Sequence, residues 1–129
     1  MKAIFEYISN EINKLEVKLE NIKVSLLSYG YEGFLRNSAC EALKSEFILE
    51  QLHQTKCALY DCDNVDDIIP YFDRKISEFE KQRLNSKPMS YNTNPMVNLI
   101  SMWKFEAYVD IISHYKSLKN IANNHQIVL

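Results

Sequence analysis

Eight apolar residues near the start of the chain, Phe5, Ile8, Ile12, Leu15, Leu19, Ile22, Leu26 and Tyr29, are spaced 3, 4, 3, 4, 3, 4 and 3. A strand, whose side chains alternate with period two, cannot put such a set on one face. An α-helix carries it as one seam over more than three heptads. Lys, Glu, Asn and Ser fill most of the other positions, and Gly30 stands where the helix would end. Both glycines of the chain, Gly30 and Gly33, lie in the segment Ser28-Tyr29-Gly30-Tyr31-Glu32-Gly33, where the backbone can reverse tightly. A seam of this length needs a second helix to cover it.

The rest of the chain supplies that cover. Helix 2 is expected from about Phe34 to Tyr60. Its stripe holds Leu35, Ala39, Ala42, Leu43, Leu49, Leu52 and Leu59, widened by Cys40, Phe47 and Ile48, and the two alanines permit close approach of a neighbour. Asp61, Asp63, Asn64, Asp66 and Asp67 form an acidic turn able to cap helix 3. Pro70 fits only the first turn of that helix, which carries Ile69, Phe72, Ile76 and Phe79 and ends near Leu84 to Asn85. Ser86 to Asn94 has turn formers and no apolar period, so it reads as the long loop. Asn94 followed by Pro95 opens helix 4, which runs to about Ile121 with more apolar residues than one face holds. The tail from Asn123 to Leu129 is expected to fray or dock.

With two Gly and three Pro, the chain has too few turn formers for a β-sandwich, which needs a turn every 8–12 residues. The expected fold is all-α: a single domain over residues 1–129, an antiparallel four-helix bundle with long helices 1, 2 and 4, in which helices 1 and 2 form a hairpin and helices 3 and 4 pack across it. At 129 residues the core is sufficient without a disulfide or metal. Three cysteines, an odd number, and no leader pattern fit a reducing cytosol. The most apolar stretch, Met96 to Ile112, is broken by Lys104, Glu106 and Asp110, so no membrane span is expected.

Several chemistries lack their residues. There is no P-loop, no G-x-G-x-x-G and no glycine run to cradle phosphate. The net charge is −2, and Lys14, Lys18, Lys23, Lys116 and Lys119 are interleaved with Glu or Asn, which reads as solvated faces and not as a nucleic-acid surface. His53 and Cys57, at i and i+4, with Cys62 in the acidic turn, are the candidate metal ligands. A closed zinc site needs a fourth donor, and no C-x-x-C or H-x-x-x-H pair supplies one; the plain alternative makes Cys57 a small buried hydrophobe. Glu50 and His53 have the Glu-x-x-His spacing of di-iron bundles, but only once. Asp110 and His114, at i and i+4, are the one pair with the character of a general base and its orienting acid.

What remains is aromatic. Eight Tyr, six Phe and one Trp exceed what a thin bundle core needs. Tyr29, Tyr31, Tyr91, Trp103 and Tyr108 lie at the turn, in the loop or off the main seam, and Tyr and Trp are the usual anchors of protein interfaces. The function expected is therefore a non-enzymatic cytosolic interaction module, an inhibitor, immunity factor or small adaptor, that covers a partner protein's surface. Those aromatics would anchor it, and Asp61, Asp63, Asp66 and Asp67 would guide a basic partner. No cofactor is expected, and self-pairing into a homodimer is compatible with the seam. The alternatives are a metal-binding or catalytic helical protein built on His53, Cys57 and Cys62, and a small-ligand sponge at an oligomer interface.

Overall fold

A computed structural model describes residues 2–62, 65–85 and 95–127. The described residues form four helices, α1 (Lys2–Asn37), α2 (Ala39–Tyr60), α3 (Ile68–Asn85) and α4 (Pro95–Ile127), with a 3₁₀ turn at Val65–Asp67 before α3. None of them is in a strand.

The break in α1 falls where its sequence places it. Gly30 has φ 76° and ψ −177° inside the helix, a conformation essentially confined to glycine. Residues on its two sides meet: Leu26 and Phe34 line one groove, and Lys18 pairs with Glu41 at 2.6 Å. Far from the turn, the ring of Phe5 stacks on Tyr60 at 4.7 Å. The arm after Gly30 passes a second, gentler irregularity at Ser38, where the backbone ladder survives: Ser38 N–H donates to Phe34 and Ala42 N–H donates to Ser38. Because a Cβ at Gly30 would meet nothing within 4 Å, its requirement for glycine is purely conformational. Gly30→Ala is expected to cost about 1–3 kcal/mol in a denaturant titration.

The core is one cluster drawn from all four helices. Ile4, Ile8 and Ile12 come from α1; Ile48, Leu52 and Leu59 from α2; Ile68, Phe72 and Phe79 from α3; and Ile111, Ile112, Tyr115, Leu118 and Ala122 from α4. α4 is the central element: it packs against α3, α2 and α1, and its excess of apolar residues is explained by that threefold contact. α3 therefore lies against α4 and not across the α1–α2 pair, a correction to the expected arrangement. α4 also continues beyond Ile121 to Ile127, so residues 123–127 are helix and not a frayed tail.

The buried stripe of α2 differs from the expected one. It runs Ala39, Ala42, Ser45, Ile48, Leu52, Thr55 and Leu59, while Leu43 is 36% exposed. Small residues at 39, 42 and 45 bring a neighbour close over that part of the helix, while Ile48, Leu52 and Leu59 fill the line further along. Thr55 is buried because it is satisfied. Its hydroxyl donates to Gln51 O at 2.8 Å and lies 2.6 Å from the Tyr115 hydroxyl, which must then be the donor to Thr55 Oγ1. Burial pushes the Tyr115 phenol far above its usual value, so that proton stays in place. Among the described residues no helix is long and apolar enough to cross a membrane.

Candidate functional site

The seam of α1 is covered only over its first half. Ile4, Ile8 and Ile12 are buried, whereas Leu15, Leu19, Ile22 and Leu26 are half-buried although the spacing is unchanged. The reason is the contact pattern: along its second half α1 has the arm after Gly30 beside it, and the core cluster lies below. A groove of about 340 Å³ opens there between the arms, with Leu19, Ile22, Leu26, Phe34 and Ala42 on its walls and Glu20, Lys23 and Glu46 at its rim. Above it stand Tyr29 and Tyr31, 77% and 78% exposed, with Leu27 at 79%. Exposed apolar side chains also stand elsewhere, at Tyr60, Leu84 and Met102, but at the Gly30 end three of them lie close in sequence to an open apolar groove.

The other expected anchors are placed differently. Trp103 and Tyr108 are half-buried, and both turn edge-on to Phe47 of α2, at 6.4 and 5.5 Å between ring centres. Tyr108 also packs on Phe79, and Phe79 stacks on Tyr115, so these two residues close the aromatic side of the bundle. Asp61, Asp66 and Asp67 are exposed at the connection between α2 and α3. That connection adjoins Phe5 through Tyr60, and Tyr29 lies about 36 Å further along α1 at 1.5 Å per residue. The acidic residues and the exposed tyrosines therefore do not share one surface. Tyr91 and Asp63 lie outside the described residues.

The metal candidates are not gathered. His53 and Cys57 are both exposed, so Cys57 is not the buried small hydrophobe its helix position suggested, and Cys62 packs half-buried against the core. Among the described residues no group of three or more His, Cys, Asp and Glu side chains is placed to hold a metal ion. Glu50 accepts a hydrogen bond from Gln54 at 3.4 Å on the surface.

Asp110 and His114 make no direct hydrogen bond or ion pair with each other, although the carboxylate's charge still opposes the lowering of the imidazole's pKa. The Tyr7 hydroxyl and His114 Nδ1 share a hydrogen bond of 3.0 Å between α1 and α4, and burial lowers the imidazole's pKa, so it stays neutral. Asp110 instead faces Lys44 at 3.5 Å. Lys44 is the hub of a charge cluster assembled from separate helices. Its ammonium also reaches Glu41 at 3.0 Å and Glu106 at 3.6 Å, and Glu41 is held in turn by Lys18 of α1. Burial opposes the charge on Lys44, but the hydrogen bond it donates to Glu41 and the charges of the three carboxylates outweigh it and hold its pKa up. Hydrogen bonds from Lys18 and Lys44 keep Glu41 below the usual carboxyl range. Cys40 Sγ lies 3.8 Å from Glu106, and burial followed by that carboxylate raises the thiol's pKa, which makes it a poor nucleophile.

The cluster ties α1, α2 and α4 together just below the exposed end. Lys44→Met is expected to cost about 1–2 kcal/mol at pH 7, less than a fully buried pair because the carboxylates are 40–46% exposed. Glu41's lowered pKa means its contribution is present above the unfolded carboxyl value and is lost as pH falls through the folded one. The gap between wild type and Lys44→Met should accordingly close below about pH 4, as followed by thermal unfolding across pH. The chain matches no protein-family model, no curated protein and no solved structure.

Proposed function

We propose that this chain is a non-enzymatic interaction module that acts in the cytosol by covering part of a partner protein, with the Gly30 end of the α1–α2 pair as its contact surface. The observation that carries this reading is the exposure of Tyr29 and Tyr31 at 77% and 78%, beside a groove whose apolar walls the bundle leaves open. Aromatic side chains with two rotatable bonds lose little entropy on binding and bring large contact area, so a pair of them held on a rigid turn suits an anchor. Inhibition or adaptation then follows from steric occlusion, with no chemistry at the site. Trp103 and Tyr108 serve the bundle in this reading, and Asp61, Asp66 and Asp67 are left out of the contact.

The fold belongs to the same proposal as a single antiparallel bundle. The pairings Phe5 with Tyr60, Lys18 with Glu41, and Lys119 with Asp73 at 2.7 Å support alternating directions for successive helices. A rigid bundle holds the exposed end at one distance and angle from the core.

Site-specific photocrosslinking in the cells that produce the protein tests the contact surface. A photoreactive residue at position 29 or 31 is expected to give one discrete protein adduct, and the same residue at exposed Ser77 on α3 none. Absence of an adduct at 29 and 31, or the same adducts from all three positions, would refute the reading.

A further inference from the structure

The side of α1 turned away from the core is not polar throughout. Val17, Val24 and Leu27 stand there 61%, 53% and 79% exposed, seven and then three residues apart on one face. Glu20 and Lys23 flank this face; both are exposed, and neither makes an ion pair with any described residue. Lys18, by contrast, is held by Glu41. An apolar line with unspent charges of both signs beside it is self-complementary if it meets itself in reverse.

We propose that this face binds a second copy of the chain, α1 against α1 in opposite directions about a two-fold axis between Asn21 and Ile22. In that register Glu20 meets Lys23 of the partner subunit, and the symmetry makes the same pair twice. Val17 falls beside Val24 and Leu27 of the partner subunit. No two like charges oppose one another between Lys14 and Leu27: Lys18 faces a serine, and Glu16 faces a leucine. A parallel pair in register would set Glu20 beside Glu20 and Lys23 beside Lys23, so charge selects the reversed arrangement. The face is some 12 residues long and buries roughly 400 Å² per subunit, about half of a standard interface. An area this small makes a weak dimer whose population depends on concentration. The dimer face borders the groove near Tyr29 through Glu20 and Lys23, and its test reads a different quantity from the crosslinking above.

Sedimentation velocity of the full chain over a concentration series decides the matter. Wild type is expected to pass from monomer to dimer. Glu20→Lys and Lys23→Glu each turn both attractive pairs into repulsive ones and are expected to weaken the dimer about tenfold. The double variant, Glu20→Lys with Lys23→Glu, restores the pairs with signs exchanged and should recover the wild-type constant. All three changes lie on the solvent side, and circular dichroism checks that each variant keeps its helices. A monomer at every concentration up to about 1 mM, or a dimer indifferent to the single reversals, or one not restored by the double variant, would overturn the proposal.

Discussion

Tyr115→Ala is expected to lower the unfolding free energy by about 3–5 kcal/mol, the range for removing a fully buried aromatic. Tyr115 is 0% exposed and stands between Phe72 and Phe79, so its loss opens a cavity where α3 meets α4. A domain of ordinary stability has about 5–15 kcal/mol in total, which puts this variant close to unfolding at physiological temperature. Two milder changes separate packing from hydrogen bonding. Tyr115→Phe keeps the ring and leaves Thr55 donating to Gln51, so the expected cost is about 1 kcal/mol. Thr55→Val strands the buried phenol without its acceptor at 2.6 Å, for about 1–3 kcal/mol. Urea titrations of the three variants should rank them alanine, then valine, then phenylalanine. A cost for Tyr115→Ala below about 1 kcal/mol would mean that α3 and α4 do not meet through this residue.

The opposite signature is expected at the other end of the chain. Tyr29→Ala combined with Tyr31→Ala should weaken binding of the crosslinked partner at least 100-fold, about 3 kcal/mol, as measured by calorimetry or surface binding. The same double variant should keep its unfolding free energy within about 0.5 kcal/mol of wild type, because both side chains lie outside the core and alanine is no worse a helix former. Loss of 2 kcal/mol or more on unfolding would make the tyrosines structural.

Much of the scaffold is legible in the sequence. The 3,4 spacing of α1, the glycine at position 30 that turns it and the start of α4 at Pro95 all have local causes, and each leaves a local signature. What was hidden depends on partners far along the chain. Nothing local in the sequence marks Thr55 as buried; Tyr115, sixty positions away, donates the hydrogen bond that satisfies it there. Lys44 reads as one more solvated lysine, yet two of the three carboxylates around it belong to α4. Spacing also cannot say how much of a seam is covered: Ile8 is fully buried and Ile22 half-buried at equivalent heptad positions. The described residues of the expected binding set are spread over the bundle for the same reason. Trp103 and Tyr108 obey helical spacing whether they face a partner or Phe47, and the acidic turn and Tyr29 are separated by most of the length of α1.

Amide hydrogen exchange with and without the crosslinked partner reports whether the Gly30 end is the contact surface. Slowed exchange confined to residues 26–34, with residues 65–85 unchanged, is the predicted result. Slowed exchange over the connection between α2 and α3 or along α3, with residues 26–34 unchanged, would contradict it.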